Sequence, residues 1–172
     1  MIKIVGDINL TDWFFDVGSG IGTGLMKGED PFDGLKRNNT DFWIGNLECV
    51  VSDVTDKKGT DAQQFIISHS ALAHIKPLEF YGIANNHVMQ HGVKAYNEIL
   101  HYLENNKVCY AGAKEKKTSV ITHEGKKIAV TSFSQHKDVF SDNPRYWYMP
   151  EYKDLEEEVR RYKDVDFRIA YV

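Results

Sequence analysis

The sequence predicts an α/β domain, and three observations carry that reading. Short apolar runs of strand composition alternate with stretches whose apolar residues recur at helical spacing. Polar residues of metal-ligating and acid–base type collect where three of those strand-like runs end. The chain has 172 residues, enough for one well-cored domain and short for two, so positions 1–172 read as a single domain.

In chain order, Ile2–Val5 reads as a buried first strand, closed by Gly6-Asp7. The stretch holding Gly18, Gly20, Gly22, Gly24 and Gly28 has no internal period and no Lys-Ser ending, so it is not a phosphate-cradling P-loop. It is expected as a flexible surface loop near the site, because it leaves the end of strand one. Asp41–Gly45 is a second strand and Gln64–Ser68 a candidate third. Ser70 is placed as the N-cap of a short helix, Ala71–Lys76, stopped by Pro77. Phe80–Ala84 is a strand running into Asn85-Asn86-His87, after which Val93, Tyr96, Leu100 and Leu103 share one helical face. Lys107–Tyr110 is expected as a strand, and Ser119–His123 and Lys127–Phe133 as a pair joined at Glu124-Gly125. Tyr152, Leu155, Val159 and Tyr162 form the stripe of a last helix, with Glu156–Arg160 and Glu157–Arg161 as i,i+4 pairs on its outer face. Phe167–Val172 has strand composition, and the sequence stops inside it.

Composition excludes several function classes. Hydrophobic content of 42% and charged content of 27% are those of an ordinary soluble globular protein. A net charge of −4 supplies no global basic field for nucleic acid or an anionic membrane. An anionic substrate would need local attraction from a metal, helix N-termini or a few lysines. Cys49 and Cys109 form no CxxC pair, which argues against a disulfide framework or a thiolate zinc site and for two partly buried thiols in a reducing compartment. No run approaches the ~20 apolar residues of a membrane span. Met1 leads directly into a strand, with no signal-peptide pattern. As written the chain reads as cytoplasmic; one whose export signal or membrane anchor had been removed would read the same.

The chemistry-bearing residues sit at strand ends. Asp7 and Asn9 follow strand one, Asn46 and Glu48 follow strand two, and Asn86 and His87 follow the Phe80 strand. Open α/β sheets bind ligands outside those carboxyl ends. Oxygen donors with an imidazole nearby suit Mn²⁺, Mg²⁺, Fe²⁺ or Zn²⁺; carboxylates bring charge, and asparagine carbonyls coordinate without adding any. Two such metals ~3.5–4 Å apart activate water and clamp a phosphoryl group. Each piece alone has a plainer reading: Gly6-Asp7 as a turn, Asn46–Glu48 as a solvated strand end, Asn85-Asn86-His87 as a helix cap. Three such ends in this order are far more specific.

Gly6-Asp7, Asn46-Leu47-Glu48, Ala84-Asn85-Asn86-His87 and the short turn Ala111-Gly112-Ala113 together resemble the poly-γ-glutamate capsule-synthesis CapA family, placed in the calcineurin-like metallophosphoesterase superfamily. Lys126–Phe133 resembles the family's next strand. The resemblance implies part of a four-layer α/β/β/α sandwich, with the carboxyl-terminal half absent. It implies divalent metal, two ions of Mn, Mg, Fe or Zn, with Asp7 a bridging ligand, Asn46 and Glu48 in the second acidic motif, and Asn86 the asparagine ligand. His87 would donate a proton to the leaving oxygen or steady the transition state of attack on phosphorus.

This sequence also departs from the family. Leu10-Thr11-Asp12 stands where Leu-Gly-Arg is usual, and Gln90 where an aspartate often follows the histidine, with His91 beside it read as a surface residue at a helix start. Asn9 occupies the third place of a superfamily Asp-x-His, where an amide is the weaker ligand. The family continues past a strand like Phe167–Val172 with His-Trp-Gly and Gly-His-x-His, so this chain is expected to be a piece of a longer protein holding about half the metal site.

The remaining candidates are weaker. His136 could line the same rim, as could His69 before the short helix; His74, His101 and His123 read as surface or structural. Lys114, Lys116 and Lys117 read as a solvated loop that could touch an anionic polymer. Tyr146, Trp147 and Tyr148 beside Pro150 read as core packing, with a sugar or polymer platform the sharper alternative. Two functions follow. One is a metal-dependent phosphoesterase-like enzyme of capsule biosynthesis, acting on an anionic polymer or a phosphorylated small molecule. The other is a non-catalytic factor that binds poly-γ-glutamate or polysaccharide and assists assembly or export. No nucleic-acid partner is expected. The apolar final strand predicts a homo-oligomer or a partner chain completing the sheet.

Overall fold

The computed structural model describes residues 1–73, 75–149 and 151–172. His74 and Pro150, named above, lie outside the described residues. In chain order the elements are β1 (Ile2–Ile8), α1 (Ile21–Met26), β2 (Phe42–Leu47), β3 (Val50–Val51), β4 (Ile66–Ile67), β5 (Phe80–Gly82), α2 (Gly92–Asn105), β6 (Cys109–Ala111), β7 (Thr118–His123), β8 (Lys126–Ser132), α3 (Lys153–Arg161) and β9 (Phe167–Tyr171).

One sheet has the order β1-β2-β5-β6, with every neighbouring pair parallel. A second has the order β7-β8-β9; β7 and β8 are antiparallel, and β9 returns parallel to β8 after α3. The β7–β8 hairpin turns at Glu124 and Gly125, whose φ values of 50° and 76° are both positive, as the two-residue turn matching strand twist requires. β3 and β4 form a separate short parallel pair.

Alternation along the strands sorts side chains into two cores. Ile44, Phe80 and Ala111 of the first sheet pack against Ile121, Ile128 and Val130 of the second, with Phe42, Ile169 and Tyr171 alongside. The opposite face of the first sheet carries Trp43, Leu47, Tyr81 and Ile83 and is covered by Ala95, Tyr96, Ile99 and Leu103 of α2. On the outer face of the second sheet, Thr118 Oγ1 donates to the buried Glu158 of α3 at 2.9 Å, and Thr118 also pairs with Thr131 at 2.8 Å. The layers are therefore α/β/β/α, as the resemblance implied. The two sheets approach closely where β5 and β8 end: a Cβ on Gly82 would stand 2.8 Å from Ser132 Oγ, so glycine suits that approach.

Several expectations change. The first strand does not close at Gly6-Asp7 but continues to Ile8, with an irregularity between Ile4 and Asp7. It is an edge strand, so Ile4 is 55% exposed rather than buried. The stripe of α2 runs through Ala95, Tyr96, Ile99, Tyr102 and Leu103, and Val93 at the first turn faces solvent. Of the helix expected from residue 71 to 76, the described residues form a single 3-10 turn, Ser70–Leu72, and Ser68 rather than Ser70 accepts the Ala71 N–H at 3.3 Å. The glycine-rich stretch is folded around Asp12, whose carboxylate accepts from the Gly18 N–H at 2.9 Å and the Thr23 N–H at 2.8 Å. Arg161 pairs with Glu158 at 3.1 Å, not with Glu157, while Glu156–Arg160 forms as expected at 3.4 Å. Cys109 is exposed; Cys49 is fully buried, and burial pushes its thiol up to about 12. Among the described residues, no helix is long and apolar enough to cross a membrane.

Candidate functional site

Parallel register places Asp7 of β1 directly beside Asn46 of β2. The Asn46 amide donates to Asp7 Oδ1 at 2.7 Å. Its carbonyl faces the other way and accepts from Asn85 Nδ2 at 3.2 Å. Asn85, buried just past β5, uses Nδ2 a second time on the Leu47 carbonyl at 2.9 Å. Its Oδ1 accepts the backbone N–H groups of His87 at 3.0 Å and Val88 at 2.9 Å. Those two backbone donors determine which end of Asn85 is oxygen, and so orient the whole relay through Asn46 to Asp7. Asn46 therefore supports the Asp7 carboxylate with its NH₂ group, and its own oxygen is turned toward Asn85.

His87 is half-buried in the turn that this relay closes. Its Nδ1–H donates to Gln90 Oε1 at 2.7 Å, which leaves Nε2 as the nitrogen available for chemistry. The imidazole stacks on Phe65, with centroids 3.6 Å apart and planes 7° apart, and Phe140 lies 6.3 Å away at a tilt. Phe65 holds a left-handed backbone with φ of 55°, unusual for a bulky residue, stabilised by its N–H to Thr11 Oγ1 at 3.3 Å and its carbonyl to the Val50 N–H at 2.7 Å. Gln90, in the place where an aspartate was expected, is a buried neutral acceptor that orients the ring without adding charge.

Glu48 follows β2, with its N–H on the Ile8 carbonyl at 3.0 Å. Burial raises its carboxyl above the usual range, the Asp7 charge raises it further, and His87 opposes both. The charges of Asp7 and His87 thus both act on Glu48, although the three come from separate stretches of the chain. Among the described residues, neither Asp7 nor Glu48 has a Lys, Arg or His ion-pair partner. Asn86 is half-buried in the same turn as His87. Asn9 spends its Oδ1 locally, on the Thr11 N–H at 3.1 Å and the Thr11 hydroxyl at 2.7 Å. His136 is exposed on the loop after β8, and only its backbone is anchored, to Ser134 Oγ at 3.2 Å and to the Tyr146 hydroxyl at 3.2 Å. Among the described residues, no group of three or more His, Cys, Asp and Glu is gathered closely enough to hold a metal ion.

Other residues enter the site that sequence reasoning left out. Tyr171 ends β9 with its hydroxyl on the Val5 and Gly6 carbonyls. Burial raises its phenol, a hydrogen bond from the Asn46 backbone lowers it, and the Asp7 charge raises it again, which puts the second sheet in contact with the Asp7 end of the first. The alternation in Phe167–Val172 was the only signal for this. Lys57 is half-buried, with its ammonium 5.3 Å from the centre of the Phe140 ring. Its segment has no periodicity that would mark it.

The family model of the bacterial capsule synthesis protein PGA_cap matches residues 2–172. No curated protein matches the chain.

Proposed function

The chain belongs to the bacterial capsule synthesis protein family, and from that premise we propose that it serves capsule biosynthesis through a divalent-cation-dependent, phosphoesterase-like site at the carboxyl ends of β1, β2 and β5. The observation that supports this reading is the pairing of Asp7 and Glu48. Asp7 stands in register beside Asn46, and the Glu48 N–H bonds the Ile8 carbonyl at 3.0 Å, so the two carboxylates sit at adjoining strand ends. Glu48 is raised by burial and by the Asp7 charge, and among the described residues neither carboxylate has a basic ion-pair partner, which favours a cation. The donor set is oxygen-rich with an imidazole adjacent, which fits Mn²⁺, Mg²⁺, Fe²⁺ or Zn²⁺. Asp7 and Glu48 would hold the first ion, with Asn86 as a further donor; a second ion needs ligands beyond these. When bound, the cation polarises a phosphoryl oxygen and draws the substrate in.

The chain's own residues supply the rest. Asn46 and Asn85 hold Asp7 in place. Gln90 fixes the ring of His87 by accepting its Nδ1–H, so that the imidazolium form, protonated at Nε2, can give that proton to a leaving oxygen. Phe65 covers one face of that imidazole, and Phe140 lies at a tilt beside it. Lys57 offers positive charge to an anionic polymer such as poly-γ-glutamate, or to a phosphorylated small molecule.

The test is Mn²⁺ titration by calorimetry together with hydrolysis of an activated aryl phosphate. The reading expects saturable binding that Asp7→Asn and Glu48→Gln abolish, and turnover that His87→Ala removes. Full turnover in chelator, or in the Asp7→Asn variant, would sink it. A second reading, a non-catalytic polymer-binding factor, is favoured by the lack of a three-residue metal cluster among the described residues. It expects polymer binding that is indifferent to chelator.

A further inference from the structure

A cavity of about 620 Å³ lies beside this site and includes none of Asp7, Asn46, Glu48, Asn86 and His87 in its lining. The glycine-rich segment and α1 wall one side, and residues between 52 and 68 wall the other. Its size is that of a small-molecule site. The apolar part of the lining is Val17, Met26, Ile66, Ile67 and the ring of Phe14, which is 56% exposed. The rim carries Gln63, Gln64 and Thr60, groups that both donate and accept hydrogen bonds.

Charge decides the class of ligand. The lining contains Asp12 and Asp53 and no Lys, Arg or His. A phosphate or a carboxylate-rich polymer would enter against two negative charges with nothing to pair with. An amine would fare little better. The Asp12 oxygens keep their charge but already accept the Gly18 N–H and the Thr23 N–H and hydroxyl, so an ammonium could bond directly only to Asp53, whose Oδ1 also accepts the His69 N–H at 3.3 Å. An uncharged ring with an apolar face and several hydroxyls suits this lining, its C–H face matching Phe14 and its hydroxyls matching Asp53, Gln63, Gln64 and Thr60. We propose that this cavity is a binding site for a neutral sugar unit, distinct from the site at Asp7 and His87. Thr11 joins the two, since it lines the cavity and also holds Asn9 and the backbone of Phe65, which stacks on His87. The assignment does not depend on the phosphoesterase-like reading.

Saturation-transfer NMR on the full chain tests it, with neutral hexoses, N-acetylhexosamines and their disaccharides as probes, and with a γ-glutamyl trimer and a simple diamine as comparators. The expected result is transfer to at least one neutral sugar at millimolar concentration and none to the comparators. Phe14→Ala and Asp53→Asn, both at exposed positions, should each weaken binding by about tenfold. Circular dichroism confirms that those variants fold. Asp7→Asn should bind the sugar as the unaltered chain does, so loss of the metal reading would leave this result standing. Absence of transfer to every neutral sugar, transfer to the trimer or diamine instead, or binding unchanged by Phe14→Ala and Asp53→Asn overturns the proposal.

Discussion

The imidazole of His87 lies flat on the ring of Phe65, the two centroids 3.6 Å apart and the planes within 7°. The stack sets the plane of the imidazole, and the hydrogen bond from Nδ1 to Gln90 at 2.7 Å sets its rotation within that plane. Between them a side chain with two free torsions is left with one orientation, and Nε2 is the ring nitrogen left without a hydrogen bond to Gln90.

From this pair we expect the neutral imidazole to carry its proton on Nδ1. Nitrogen-15 NMR of the labelled ring should show that tautomer, and Gln90→Leu should convert it to a mixture. If turnover exists, Gln90→Leu should lower it by about tenfold to a hundredfold, the usual cost of removing the partner that orients a site histidine. An unchanged tautomer in Gln90→Leu would show that Gln90 does not orient the ring.

Asn85 makes four hydrogen bonds while buried, two through each end of its amide. Asn85→Asp puts a carboxylate oxygen against the Leu47 and Asn46 carbonyls, where a donor is needed. We expect a loss of about 2–4 kcal/mol at neutral pH. The introduced carboxyl would have a folded pKa above its unfolded one, so stability should recover as pH falls through that raised value. Urea denaturation across mildly acidic to mildly alkaline pH reads both effects.

Glu79 stitches β2 to the loop before β5. Burial alone would raise its carboxyl, but the Trp43 N–H at 2.8 Å and the charge and hydrogen bond of Arg37 at 2.8 Å outweigh that and hold it below the ordinary range. A depressed folded pKa contributes stability that is present above the unfolded value of about 4.3 and is lost as pH falls through the folded one. Glu79→Gln should therefore flatten the acid limb of the stability profile and cost about 1–2 kcal/mol at neutral pH. A parallel acid limb in the variant would contradict the assignment.

Lys57 stands half-buried against Phe140, one ring away from His87. In Lys57→Met we expect phosphate or a γ-glutamyl oligomer to bind about threefold to tenfold more weakly at low salt, with the difference shrinking as salt rises. Lys114→Met, on the exposed loop, serves as the control. Equal losses in both variants would mean diffuse attraction rather than a placed cation.

Among the described residues, the outer edges of β1 and β9 have no strand paired to them, and Ile4 and Phe167 are largely exposed. Such edges invite strand addition. Sedimentation velocity should show association that grows with concentration and that Ile4→Lys suppresses. A monomer at every concentration would count against the expectation of a homo-oligomer or a sheet-completing partner.

Much of the fold was legible in the sequence because its signals are local. Strand composition, the Glu124-Gly125 turn and the helical spacing of α2 depend on residues within a few positions of one another. The turn fell where expected, and of the predicted α2 stripe Tyr96 and Leu103 are buried, while β1 runs three residues past its expected end. The misses share one cause. The expected burial of β1 failed because a strand's exposure depends on its place in the sheet order, and the buried Glu158 escaped notice because its partner Thr118 lies forty residues earlier in the chain.

By itself the sequence determined which candidate site residues lie at or near the ends of the strands, and their order along the chain, since strand composition and the motifs Gly6-Asp7, Asn46–Glu48 and Asn85–His87 are written contiguously. Only the tertiary structure decided that Asp7 lies within β1 beside Asn46, that Asn85 orients both, and that Phe65, Gln90 and Tyr171 complete their surroundings. Those relations arise from parallel register and from the stacking of two sheets, which join residues too far apart in sequence for any local pattern to encode.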